Sequence, residues 1–262
     1  MPENSNFKFA IIKNRNEKLL AQGYKSLIVA VFPYFYPEKT ELFSKYASIY
    51  DYHTVIKEEF EEFLSSLSYE YKIFADISPF NEKKLAEDLG LGEIGRHGIL
   101  ITKEFSSFVF IGEAAIRAEL PELIYPKEKI CTGCNKCIKA CPTGALDGGF
   151  NKEKCLSYIT QKKKLSPDQE LLLKKTKCIW GCDICQLACP ITKKARITNI
   201  SKFKKPILDL TSYMLMEMDD AGFRERYQEF AFAYKGVELL QRNVKAVGLN
   251  INAQKKPPGH NA

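Results

Sequence analysis

The spacing of apolar positions along this 262-residue chain changes several times, and each change marks an expected element. Lys8 to Gly23 reads as an opening helix ended by its glycine. Leu27 to Phe32 is a continuous apolar run of strand length, the mark of a strand covered on both faces. Ile56, Phe60, Phe63, Leu64 and Leu67 repeat at helical spacing with acidic residues opposite, which predicts an amphipathic helix packed on a sheet. Tyr71 to Ala75 reads as a second strand with Asp76 at its exit, followed by a short helix through Leu85. Gly98 to Thr102 and Phe108 to Ile111 read as two more strands forming a hairpin.

Between that helix and that hairpin lies a glycine-punctuated turn, Gly90 to Gly95. Gly90, Gly92 and Gly95 have the intervals of a dinucleotide fingerprint, but here a helix precedes the turn and a strand follows. Pyrophosphate binding needs the reverse order, because the helix after the turn supplies the amides. A nicotinamide cofactor is therefore not expected. Pro121 to Pro126 reads as a linker. Two short helices are expected around Lys154–Thr160 and Asp168–Lys175. Val237, Leu240, Val244 and Val247 form one apolar stripe in a helical C-terminal stretch, and the last eight residues read as a disordered tail. The expected organisation is an α/β domain over 1–126, a cysteine-rich domain over 127–205, a helical segment over 206–254 and a tail over 255–262.

The cysteines carry the chemistry. Cys131, Cys134, Cys137 and Cys141 follow C-x2-C-x2-C-x3-C-P, and Cys182, Cys185 and Cys189 repeat its last three steps before Pro190. Bacterial ferredoxins hold two 4Fe–4S clusters with this spacing, the last cysteine of each run reaching to the other cluster. The short steps set three thiolates around one face of a cubane, and the longer step with proline turns the chain toward its neighbour. Zinc knuckles also use C-x2-C pairs, but two dense runs ending in Cys-Pro favour cubanes. Free thiolates need a reducing compartment. With no apolar leader core and no apolar run of membrane-spanning length, a cytoplasmic protein without membrane contact is expected. The net charge is +7, and between Gln161 and Lys205 eleven lysines and Arg196 face only Asp168, Glu170 and Asp183. Charge alone leaves two readings open: a surface offsetting negative clusters, or a basic face for nucleic acid or an acidic electron donor.

Several further stretches occur in an order that resembles one family. They are Asp51-Tyr52-His53, Asp76-Ile-Ser-Pro79, Gly90-Leu-Gly-x-Ile-Gly-Arg96, Phe108-x-Phe-Ile-Gly-Glu113, Pro142-Thr-Gly-Ala145, Cys155-Leu-Ser-Tyr-Ile-Thr160 and Gly181-Cys-Asp-Ile-Cys-Gln-x-x-Cys-Pro190. From about residue 40 to 250 the chain resembles the epoxyqueuosine reductases; ferredoxins share the Cys-Pro runs but not the Cys-x-Ser-Tyr-x-Thr or Gly-Cys-Asp-x-Cys-Gln elements. The resemblance implies an α+β protein: an N-terminal α/β cobalamin-binding domain, a ferredoxin-like double 4Fe–4S cluster domain and C-terminal helices. A short form is expected, without the helical-repeat domain of longer members. Electrons would pass from one cluster to the other and on to cobalt. The epoxide oxygen of the modified tRNA wobble base would leave as water, using two electrons and two protons.

The same resemblance implies the residues. Cys131, Cys134 and Cys137 take Cys189 for one cluster; Cys141, Cys182 and Cys185 take Cys155, with Cys178 as the spare. Asp76 matches the family's proposed general acid, on the expectation that burial beside the corrin raises its pKa. The other reading of an acid before Ser-x-Pro is a helix cap or turn former. Tyr52 and His53 go to the corrin pocket rather than the metal, with Ser78, Pro79, Gly95 and His97 as further candidates; packing is the alternative for each. Trp180 is expected to shield a cluster. Implied partners are the tRNA anticodon stem-loop, gripped by the basic stretch, and a low-potential donor such as ferredoxin or flavodoxin, acting on a monomer. Two departures stand out: Ser48-Ile-Tyr50 where a small-Gly-Arg stretch is common, and Glu93 where an aromatic often sits. Two other functions remain: a corrinoid reductase of another epoxide or organohalide, and a non-catalytic electron-transfer or corrinoid-reactivating module. A pure carrier needs no acid at Asp76, and a small-molecule reductase needs no run of twelve basic residues.

Overall fold

The computed structural model describes residues 6–248 apart from 41, 206, 209 and 211, so the expected tail over 255–262 lies outside the described residues. Lys8–Lys13 is a strand, β1, and only Glu17–Ala21 is helical, α1. The helix expected from Lys8 to Gly23 is broken by two asparagines. Asn14 Nδ2 donates to the Tyr24 carbonyl at 2.7 Å, and Asn16 Oδ1 caps α1 by accepting from Leu19 N–H at 3.2 Å. Asparagines that bond local backbone compete with helix propagation, and the apolar residues before them pair as a strand instead.

β2 (Ser26–Pro33) is buried at every position, as its apolar run predicts. The chain continues through α2 (Tyr52–Leu64), β3 (Tyr71–Ala75), α3 (Glu82–Asp88), β4 (Glu93–Ile94), β5 (Leu100–Ile101) and β6 (Val109–Ile116). The main sheet has the order β1-β2-β6-β3, and every pairing in it is antiparallel. This half is thus a mixed helix-and-sheet layer, as expected, but without parallel strands. β2 is apolar on both faces because both are covered. Ile28, Ala30 and Phe32 meet Val55, Ile56 and Phe60 of α2, while Leu27, Val29 and Val31 meet Ala86 of α3 and Leu89, Leu91 and Leu100. α2 comes closest over Gly112, where a Cβ would lie 2.7 Å from Ile56 Cγ2. The expected hairpin does not form. β5 pairs with β4, and the longer β6 fills the slot between β2 and β3, where more apolar surface is buried.

Pro121–Pro126 is strapped down rather than free. Leu123 exchanges two backbone hydrogen bonds with Ile11 at 2.9 Å, covering the β1 edge. After it come α4 (Lys136–Ala140), α5 (Leu156–Ile159), α6 (Pro167–Thr176), α7 (Ile184–Leu187), α8 (Ser212–Glu217), α9 (Asp220–Tyr227) and α10 (Val237–Val247). α6 starts with Pro167 behind a reciprocal cap between Ser166 and Gln169. The α10 stripe of Val237, Leu240, Val244 and Val247 is buried, as its spacing predicts. It shares a core with Leu173, Trp180, Phe223 and Phe232, and with Phe43 and Ala47 from the N-terminal half. Buried Asn243 locks α10 down by donating to the Thr160 and Ile179 carbonyls at 2.7 and 2.8 Å. Ser44 N–H donates to the Trp180 carbonyl and Lys45 N–H to Asp183, so the N-terminal half is stitched to the second cysteine run. Among the described residues no helix is long and apolar enough to cross a membrane.

Candidate active site and cysteine cavities

Asp76 follows the last residue of β3 with a left-handed φ of 63°, uncommon for a non-glycine residue. This turn sets its carboxylate at the mouth of a cleft of about 670 Å³, beside Tyr52 and His53 from the first turn of α2. Asp51 explains why α2 starts there. Its Oδ1 caps the helix by accepting from His53 N–H at 2.9 Å and also lies 2.7 Å from His53 Nδ1. Tyr52 donates its hydroxyl to Asp76 Oδ2 at 3.0 Å, and His53 Nε2 stands 3.7 Å from the same oxygen. The Asp51 and Asp76 carboxylates raise His53 to about 9. His53, with Tyr52, holds the Asp76 carboxyl below the usual range despite partial burial. In the protein alone these partners outweigh burial at Asp76, whereas the expectation concerned burial beside a corrin. Its side chain is 63% exposed, and the proton of the group rests on His53.

The remaining walls mix aromatic with aliphatic and polar side chains. Tyr34, Tyr46, Phe110, Trp180 and Tyr234 line the cleft, with Phe110 stacked between Tyr34 and Tyr52 at centroid distances of 4.2 and 4.4 Å. Sequence reasoning missed most of these. Phe110 carried a signal as part of the Phe108–Glu113 motif, and Trp180 did so by its place beside the second cysteine run. Trp180, expected as a cluster shield, is buried in the cleft wall and donates Nε1–H to Tyr46 at 2.9 Å. Of the other pocket candidates, Ser78 and Pro79 follow Asp76 on its loop but do not line the cleft, and Ser78 Oγ accepts from Phe80 N–H. Neither Gly95 nor His97 lines the cleft; His97 borders the cysteine cavities, and Gly95 packs against Ile101 and the His97 ring.

Behind Asp76 two glutamates share the sheet face opposite α2. Glu113 on β6 is fully buried; neither carboxyl oxygen has a hydrogen-bond partner, Ser78 being near without meeting bonding geometry. Burial, then Glu82, pushes Glu113 up to about 8. Glu82 itself lines the cleft and is raised by burial to about 7. At neutral pH Glu113 is mostly protonated and Glu82 about half so; sequence reasoning did not single out Glu82 and showed Glu113 only as a motif residue.

The cysteines wall two separate cavities. Cys131, Cys134, Cys137 and Cys189 line a small one with Arg96, His97 and Asn135. Cys141, Cys155, Cys182 and Cys185 line another of about 250 Å³. Cys178 lines neither and donates its thiol to the Gly181 carbonyl. Among the described residues no three His, Cys, Asp or Glu side chains converge as a single metal ion requires. Four thiols around the wider second space suit a cluster instead. Burial raises Cys182 and Cys185 to about 12 each, so iron would be needed to hold them as thiolates. Glu93, the departure from an aromatic, accepts from Lys129 Nζ and from Ile130 and Cys131 N–H, clamping the first cysteine from below.

Two family models match the chain. The 4Fe-4S double cluster binding domain matches residues 130–192, and the family described as epoxyqueuosine reductase QueG, DUF1730, matches residues 15–78. The epoxyqueuosine reductase of Lactococcus garvieae is 31% identical over 85% of this chain, a match spanning 66% of that relative. The enzyme of Cyclobacterium marinum is 32% identical, with 90% of this chain and 80% of the relative covered. A crystal structure of epoxyqueuosine reductase with an epoxyqueuosine-modified tRNA-Tyr stem loop superposes with a TM-score of 0.75 at 24% identity, covering 92% of this chain and 76% of the other. The Bacillus subtilis enzyme, with its catalytic loop swung out of the active site, gives 0.73 at 26% identity over 88% and 66%. On these similarities the chain belongs to the epoxyqueuosine reductase family of oxidoreductases.

Proposed function

We propose that this protein converts epoxyqueuosine to queuosine in tRNA, two 4Fe–4S clusters delivering electrons to a cobalamin held in the Asp76 cleft. Continuity of the three spaces is the observation that carries this reading. Tyr46, Lys83, Ile99 and Ser157 line both the cleft and the Cys141 cavity, and His97 lines both the Cys141 and Cys131 cavities. On this reading Cys131, Cys134, Cys137 and Cys189 hold one cluster and Cys141, Cys155, Cys182 and Cys185 the other. Cys134 is exposed, so a ferredoxin or flavodoxin would deliver electrons at the first.

The cleft suits a corrin in its size and flat aromatic walls. His53 is engaged by Asp51 and Asp76, which leaves it no free nitrogen to compete for cobalt. When bound, the cobalamin would supply the strongly reducing cobalt that opens the epoxide. The chain's own residues handle the protons. His53 stores one up to about pH 9, and Asp76, poised between His53 and Tyr52, passes it to the departing oxygen. Glu82, raised to about 7 on the same wall, is placed to supply the second. Of the twelve basic residues between 161 and 205 all but Lys162 are exposed, and they would grip tRNA phosphates while the wobble base enters the cleft.

The test is anaerobic reconstitution with iron, sulfide and cobalamin, then addition of epoxyqueuosine-containing tRNA and a chemical reductant. Queuosine appearing in the digested tRNA is the expected result. Reduced cobalt without queuosine would refute the assignment of substrate.

A further inference from the structure

His97 is only 3% exposed, and among the described residues it alone lines both cysteine cavities. Its Nδ1 accepts from Ile99 N–H at 3.2 Å, which leaves the ring proton on Nε2. Nε2 is buried and finds no acceptor in the protein. A buried donor without an acceptor is a costly arrangement, and native structures rarely keep one unless something beyond the chain accepts from it. The chain builds this position with care. Gly98 N–H closes a tight turn onto the Gly95 carbonyl at 2.8 Å. A Cβ at Gly95 would come 2.4 Å from Ile101 Cδ1 and 3.2 Å from His97 Cε1, so the ring packs where a side chain is missing. The glycine turn that imitates a dinucleotide fingerprint thus serves to seat this imidazole.

We infer that His97 donates its Nε2–H to a sulfur of one of the two clusters and thereby raises that cluster's reduction potential. The inference rests on the cysteine partition proposed above. An N–H dipole aimed at sulfur stabilises the extra negative charge of the reduced cluster, which is a recognised lever on cluster potential. From the wall between two chemically similar clusters, a single donor makes them unequal and so sets the direction in which an electron rests.

The test reconstitutes wild type, His97→Gln and His97→Phe with iron and sulfide under anaerobic conditions and counts iron first. About eight irons per chain are expected from two four-iron clusters; a shortfall in wild type counts against the partition rather than against the hydrogen bond. Redox titration followed by electron paramagnetic resonance then reads both midpoints. His97→Phe should shift one midpoint to more negative potential and leave the other in place, and His97→Gln, which keeps an N–H donor, should recover part of the shift. With isotopically labelled histidine, pulsed measurements on reduced wild type should show a nitrogen coupling that His97→Gln lacks. Unshifted midpoints in a fully loaded His97→Phe, or no histidine coupling in loaded wild type, would overturn the inference. If His97→Phe loses iron, the coupling in wild type and its loss in His97→Gln decide the matter.

Discussion

On the proposed function, Asp76 and His53 divide the proton delivery that sequence reasoning assigned to Asp76 alone. The strand exit and the motif singled out Asp76, and the structure sets it in the cleft beside Tyr52 and His53. Its ionisation was not legible, because it depends on two side chains that α2 brings across the sheet. His53 binds its proton more tightly when folded, so its pairing stabilises the protein fully below about pH 6.5 and fades as pH rises through about 9. Turnover should accordingly fall on an alkaline limb near pH 9, and His53→Gln should lower activity and abolish that limb. Glu113 has the same sign from a different cause. As an acid raised to about 8, it destabilises the fold progressively from about pH 4.5 to about 8, where an unfolded chain is ionised and the folded one is not. Glu113→Gln should therefore raise the melting temperature at pH 8 and change it little at pH 4.5. A larger effect at the acidic end would contradict this. For the cysteines, Cys155→Ser should lose about four of about eight irons while Cys178→Ser loses few; the opposite pattern would exchange their roles.

At the level of elements, legibility followed burial. The apolar run of β2 and the stripes of α2 and α10 each commit large apolar side chains to one environment, and these elements form where their spacing places them. Leu240 is fully buried in the core that α10 shares with Trp180 and Phe43. Leu240→Ala should cost about 2–5 kcal/mol of stability, read from denaturant midpoints on the cluster-loaded protein. Errors arose where short segments lacked such commitment. Lys8–Lys13 is too short a run to distinguish strand from helix by period, and a pair of asparagines decided it. The 93–101 ribbon pairs over two residues a side, too short to announce its partner. Pro121–Pro126 looked like a linker because edge pairing through Leu123 leaves no compositional trace.

The whole molecule is a line of three spaces: a cysteine cavity near the surface, a second behind His97, and an aromatic cleft that ends at Asp76. The cysteine spacing suggested two groups and the family resemblance added Cys155; the two cavities are lined by those eight residues. The aromatic cleft was hidden, since Tyr34, Tyr46, Trp180 and Tyr234 come from distant segments with no shared pattern. The basic surface between 161 and 205 predicts tRNA affinity that falls steeply with salt. Replacing Lys204 and Lys205 by alanine should weaken binding and flatten the salt slope by roughly one unit for each lost phosphate contact. The most direct test of the account is turnover of the Asp76→Asn variant after reconstitution with iron, sulfide and cobalamin. The variant should hold both clusters and the cobalamin as wild type does, yet form queuosine about 100-fold more slowly or worse, the usual contribution of a positioned acid. Full turnover with both cofactors bound would contradict it.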